Sequence, residues 1–349
     1  MGLFTAPAPG TNFGINSPLL QINQYPEWDV TVAIALYFTG LAGMLMAITS
    51  ILEFTGRYPN LVKRNSIFVF IFAVLSLVAF DIHLGVPIRG FYAPANAFGA
   101  LLNSWMARGI EFVGGLLVFS LIFMAIKVLD VKNVVATWVF AILGLLAGIF
   151  STTYSGFELS AATGVPFWNN GGLPALFLAS GIVGGSAWSY IISLVTKGEE
   201  GIRARRLTAK LLAYSAVAEL ATWFLFMANV NFVYVFDEVA YNYLISGVTF
   251  VIDLVLLGLT FVVPGVGNLM MWRMLRKTNS HSPSPSPIDF PNYLKIIILV
   301  VAILALVSGF FTREDILFAG QYAYQVSPLT PFQYSSNQPT PIGSFGWRS

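Results

Sequence analysis

Long apolar runs, each closed by a group of charged, proline or asparagine residues, recur eight times along the chain. They extend approximately over Val30–Ile51, Ser66–Leu84, Gly109–Leu129, Val134–Tyr154, Leu173–Val195, Leu207–Val230, Tyr243–Val263 and Tyr293–Phe311. Runs of roughly 18–25 apolar residues match the length an α-helix needs to cross about 30 Å of hydrocarbon at 1.5 Å per residue. None alternates polar and apolar positions as a membrane barrel strand does. The pattern predicts an all-α integral membrane protein with eight transmembrane helices spanning residues 30–311. Its weakest boundary is the short link Asp130–Asn133.

The polar segments then set orientation. Loops and helix ends after runs one, three, five and seven hold Arg57, Lys63, Arg64, Lys127, Lys132, Lys197, Arg203, Arg205, Arg206, Lys210, Arg273, Arg276, Lys277 and Lys295, 14 of the 18 basic residues. Arg89, Arg108, Arg313 and Arg348 remain for the other side. The positive-inside rule therefore places both termini outside the cell membrane. Residues 1–29, with no Lys or Arg and no compact apolar segment, read as an outer N-terminal tail and not as a cleaved signal. Residues 279–291 read as an inner Ser/Pro linker, and residues 312–349, rich in Tyr, Pro, Ser and Gln, as an outer C-terminal tail.

Composition adds exclusions. The 349 residues are 56% hydrophobic and 10% charged, with mean hydropathy +0.75, which makes membrane lipid the surrounding medium. With no cysteine, the chain itself ligates no Fe-S cluster. With only His83 and His281, the second in the linker, a bis-histidine haem inside the bundle is excluded, as is a histidine metal cluster. Net charge is +2 and the basic residues are scattered, so no nucleic acid is expected as a partner. P-loop, dinucleotide and nucleophile-elbow motifs are absent, and no convincing internal repeat appears.

Candidate chemistry gathers at one level. With this orientation, Asp81 and His83 close run two, Arg108 and Glu111 open run three, Tyr154 closes run four, and the following loop adds Glu158, Trp168 and Asn169. Each has a structural alternative: Tyr and Trp as interfacial anchors, Asp81 or Glu111 as an ion-pair partner of Arg108, His83 as a helix-end hydrogen bonder. Their coincidence at one depth favours a site, because ionisable groups in a membrane are costly to bury and mark a path or pocket. Glu219 and Asp253 lie roughly 15–18 Å along their runs, near the midplane, either as protonated, hydrogen-bonded acids or as a proton path.

The sequence resembles the NrfD/PsrC-like membrane subunits of respiratory oxidoreductases. The resemblance runs from run one to run five and rests on GLAG at Gly40–Gly43, HLGVPIR at His83–Arg89, SWMARG at Ser104–Gly109, YSG at Tyr154–Gly156, and PFWNNGGLPALFLASGIVGG through Pro166–Gly185. It implies a helical-bundle anchor that binds a quinone of the menaquinone type and oxidises quinol. Electrons would pass to a ferredoxin-like iron-sulfur subunit and on to a molybdopterin catalytic subunit of a sulfur or polysulfide reductase, with Fe-S clusters and molybdopterin held only by those partners. Tyr154 matches the family's tyrosine near the quinone head group, and His83 falls where many members have Asp or His.

Members of the bacterial polysulfide reductase type can place Asn and His just before the Gly-rich segment, where this chain has Val32 and Ala35. The resemblance therefore shifts the proton role to Asp81, Glu111 or Glu158, beside Arg108, Trp168 and Asn169 as lining. Two alternatives stay open. One is an anchor of a related complex with another acceptor (other sulfur compounds, dimethyl sulfoxide, nitrite or hydrogen), with protons carried through Glu219 and Asp253. The other is a secondary transporter.

Overall fold

The computed structural model describes residues 28–84, 90, 92–162, 164–230, 235–278 and 289–325. Among these, every regular element is a helix: α1 Val30–Thr55, α2 Pro59–His83, α3 Ala93–Phe98, α4 Trp105–Val128, α5 Val134–Ser160, α6 Leu173–Val195, α7 Gly198–Ala228, α8 Val235–Ser246, α9 Val248–Thr278 and α10 Asn292–Gln325. Eight are long and apolar enough to cross a membrane: α1, α2, α4, α5, α6, α7, α9 and α10.

Local sequence accounts for the ends. Asp29 caps α1 by accepting from the Thr31 amide at 2.9 Å, and Gly56 closes it at φ 63°, a left-handed conformation that suits glycine. Ser104 and Asn133 cap α4 and α5 in the same way. Proline at the start of α2 and α6 removes an amide that would lack a helical partner there.

Helices α1, α2, α4 and α5 pack as one four-helix group, and α6, α7, α9 and α10 as a second, joined where α6 lies against α1 and α5. With lipid tails as apolar as leucine, helices associate in membranes through close backbone approach and interhelical hydrogen bonds. At the α1–α5 crossing a Cβ on Gly43 would stand 2.5 Å from the Gly148 carbonyl oxygen, so only glycine fits. The outer flanks remain apolar and exposed, as on α5 at Trp138, Val139, Ile142 and Leu146, which suits contact with lipid.

Several boundaries differ from the hydrophobic runs. Helix α5 continues six residues past Tyr154 to Ser160, because a helix leaving the hydrocarbon can carry polar residues on a protein-covered face. Helix α7 starts at Gly198, absorbing Arg203, Arg205 and Arg206 from the expected loop. The seventh run is divided at Gly247 between α8 and α9. The largest correction concerns the C-terminal tail: residues 312–325 continue α10, and Thr312, Arg313, Glu314 and Asp315 are buried within the protein. The rest of that tail (326–349), residues 1–27, linker residues 279–288 with His281, and residues 85–89 with Arg89 lie outside the described residues.

Candidate functional sites

The end of α2, the start of α4, the end of α5 and the segment 161–172 share one face of the molecule, here termed the Trp168 face. The opposite face carries the clustered lysines and arginines. Tyr154 lies about 9 Å inside the Trp168 end of α5, six residues before Ser160. It is 4% exposed, and its ring fills the space beside Gly109 of α4, where any Cβ would overlap it. Glu158 follows one turn later, on the same side of α5 and nearer the surface. A buried phenol with a carboxylate one turn above it is therefore the arrangement that YSGFE produces.

The other predicted residues separate. His83 Nδ1 lies 3.5 Å from Asp29 Oδ1, which ties the end of α2 to the start of α1. Burial pushes the Asp29 carboxyl up, but hydrogen bonds from Thr31 and the nearby His83 outweigh it and leave it below the usual value. Asp81 packs against the backbone of Gly90. Arg108 forms no ion pair with Asp81 or Glu111: it donates to the carbonyls of Leu101 and Leu102 at 2.7 Å and stacks 4.4 Å over the Trp105 ring. The expected pairing fails because the loop folds its own carbonyls around the guanidinium. Glu111 is two residues beyond Gly109, about 200° round α4, so it does not share the face that meets Tyr154; its Oε1 is buried without a hydrogen-bond partner.

Trp168 is an internal clasp. Its indole N–H donates to the Ile316 carbonyl at 2.9 Å, and its ring stacks on Trp28 at 5.5 Å. Trp28 in turn exchanges backbone hydrogen bonds with the Gln321 side chain. Asn169 is exposed, whereas its neighbour Asn170 is built in, donating to the Phe226 carbonyl at 3.0 Å and accepting from the Gly172 amide. Trp168 thus fastens α10 and Trp28 to this segment, while Asn169 lies at the surface.

A second polar centre lies in the second bundle. Thr312 Oγ1 stands 3.1 Å from Glu219 Oε1 and 3.0 Å from Asp253 Oδ2. Ser308 donates to the other oxygen of Asp253. Arg313, 2% exposed, donates to Ser180 Oγ and to the carbonyls of Gly309 and Phe177. Glu219 is nine residues from the Trp168 end of α7 and Asp253 five from that end of α9, about 14 and 8 Å. Both are nearer the Trp168 end of their own helices than the opposite end. Sequence reasoning named both acids as one proton path but missed the bridge between them, Thr312, together with Ser308 and Arg313. The run of charges at Arg313–Asp315 ended the hydrophobic pattern, yet an arginine directly after an apolar run is also the mark of a buried countercharge.

The fold and these centres define an all-α multi-pass membrane protein with its polar chemistry buried between helices. The polysulphide reductase, NrfD family model matches residues 20–281, and the chain belongs to that family. The protein NrfD homolog of Haemophilus influenzae is 25% identical over 324 residues, covering 84% of this chain and 94% of the relative. Membership supports a membrane subunit of oxidoreductase complexes.

Proposed function

We propose that the chain is the quinone-binding membrane anchor of a sulfur or polysulfide reductase, oxidising quinol and passing electrons to a ferredoxin-like iron-sulfur subunit that feeds a molybdopterin subunit. The observation that carries this reading is the buried Tyr154 phenol seated on Gly109 with Glu158 one turn above it. In the proposed arrangement both termini face outward, and the iron-sulfur subunit docks on the Trp168 face.

A bound quinol would supply two electrons and two protons. The Tyr154 hydroxyl can donate a hydrogen bond to one head-group oxygen. Glu158, between Tyr154 and the surface, can accept a proton and release it to water. His83, oriented by Asp29, is the second candidate for a head-group oxygen. Glu111, with its unpartnered buried oxygen, is a polar group that a ligand or water could satisfy. The apolar walls of α4 and α5 suit an isoprenoid tail. Choice of terminal acceptor belongs to another polypeptide, so a related complex acting on other sulfur compounds, dimethyl sulfoxide, nitrite or hydrogen would use the same anchor.

The Glu219–Thr312–Asp253 bridge favours a second role, in which these acids carry a proton while the quinone turns over. The anchor reading is tested with a photoreactive quinone analogue on the purified complex. Labelling of peptides around Gly109 and Tyr154, suppressed by excess quinone, supports it; labelling confined to other helices refutes it.

A further inference from the structure

The second polar centre can hold a proton, and the residues leading from it suggest its exit. The Thr312 hydroxyl has a single hydrogen, yet its oxygen lies within hydrogen-bond distance of a carboxyl oxygen on each side. It can donate to one acceptor at a time, and the Ser308 carbonyl 3.3 Å away competes for it, so a contact with an acid to which it does not donate is a hydrogen bond when that acid brings a proton of its own. Charge counting also favours a proton on the pair. Glu219 and Asp253, with Asp315 close enough to Asp253 to interact with its charge, share this region with one guanidinium, Arg313, which donates to Ser180 Oγ and to the carbonyls of Gly309 and Phe177. One proton on the pair leaves one negative charge against one positive charge, the least costly state in a low-dielectric interior.

A second hydroxyl–carboxyl pair lies one turn closer to the Trp168 face. Thr249 precedes Asp253 by four residues on α9, and Asp315 follows Thr312 by three on α10, so both helices present the two pairs on the same sides. Thr249 Oγ1 donates to Asp315 Oδ1 at 2.5 Å, and Asp315 is near enough to Asp253 to interact with its charge. Asp315 is 8% exposed, and its Oδ2 has no hydrogen-bond partner. Next to it in sequence, Glu314 is 4% exposed with Oε2 likewise unpartnered, and it is near enough to Tyr243, which stacks on Tyr322, to interact with its charge. The unpartnered oxygen of Glu219, Oε2, repeats the pattern at the inner end. One helical turn is about 5.4 Å, a step that a single bridging water can span.

We propose that Asp315 and Thr249 form the proton exit of the Glu219–Thr312–Asp253 centre, opening on the Trp168 face between α9 and α10, separate from Tyr154 and Glu158 in the first bundle. This rests on the second role given above, that these acids hold and release a proton. The proton leaves the protonated acid for the Thr312–Asp253 pair, crosses to Asp315, and passes to water; no electron or other reactant is needed. Arg313 stays charged throughout, and after release the two carboxylates face this one guanidinium until the pair takes up another proton.

The test uses the full chain in lipid nanodiscs, without quinone or partners. The infrared band of a protonated buried carboxyl is identified as the one lost in Glu219→Gln or Asp253→Asn, and its shift is followed after transfer to heavy water. The expected result is prompt exchange in the parent, exchange slowed roughly tenfold or more in Asp315→Asn and Thr249→Val, and recovery in Asp315→Glu and Thr249→Ser. Unaltered exchange in both blocking variants overturns the exit. Absence of any band lost in Glu219→Gln or Asp253→Asn overturns the one-proton centre itself. Slowing that the conservative variants do not restore also counts against the exit, since the path depends on a carboxyl and a hydroxyl at these positions. Because no quinone is involved, each result is independent of the Tyr154 site.

Discussion

A Cβ on Gly40 would stand 2.6 Å from Nη2 of Arg313, so the Gly-rich turn of α1 leaves room for a buried guanidinium contributed by a helix more than 270 residues later in the chain. The GLAG segment thus serves two contacts. Gly43 allows α1 to approach α5, and Gly40 admits the charged end of Arg313. Gly40→Ala should lower stability by about 1–3 kcal/mol, the usual cost of overpacking a close-packed interior. Thermal unfolding of the purified chain checks this, and Gly56→Ala, at a helix end with open space around it, provides a comparison governed by backbone strain alone.

The clasp made by Trp168 gives a second expectation. Trp168→Phe keeps an aromatic ring for stacking on Trp28 but loses the hydrogen bond to the Ile316 carbonyl. A loss of about 1 kcal/mol follows. Limited proteolysis should show earlier cleavage near the end of α10 while the eight spans stay intact.

On the basic face, Asp289 accepts from Arg205 at 3.0 and 2.6 Å and lies 2.6 Å from Lys295. Burial alone would raise its carboxyl pKa, but the hydrogen bonds from Arg205 and Lys295 outweigh burial and hold it below the ordinary value of 3.8. A depressed folded-state pKa means that the stabilisation is fully present above about 3.8 and is lost as pH falls through the lower folded value. Asp289→Asn should therefore weaken attachment of the linker's end at neutral pH, by on the order of 1 kcal/mol given its partial exposure, and should remove this part of the acid dependence below pH ~4. Denaturation midpoints at pH 7 and pH 3 for parent and variant measure both.

How far the sequence foretold this architecture depends on which physical signal each element left. The spans of α1, α2, α4, α5 and α6 were legible because uninterrupted apolar residues of membrane length have few other uses. The ends of α7 and α10 were not, since Arg205 and Arg313 read as loop charges until Asp289 and the Ser180 hydroxyl are seen beside them. Tyr154 and Glu158 could be paired by their spacing once α5 was known to continue to Ser160. The bridge from Glu219 to Asp253 could not, because its middle member, Thr312, is 93 residues from one acid and 59 from the other. Arg108 shows the opposite failure: opposite charges at one depth suggested an ion pair, but nearby backbone carbonyls were the easier partners.

The most direct measurement is quinol-dependent reduction of the iron-sulfur partner by the purified, fully assembled complex, comparing the parent with Tyr154→Phe and His83→Ala. The account predicts that Tyr154→Phe, which removes one hydroxyl from a buried position, slows reduction roughly tenfold to a hundredfold through loss of a hydrogen bond of about 1.5–3 kcal/mol, while His83→Ala gives a smaller loss. Unchanged rates in both variants, in complexes shown to retain every subunit, would contradict a quinol site at the Tyr154 end of α5.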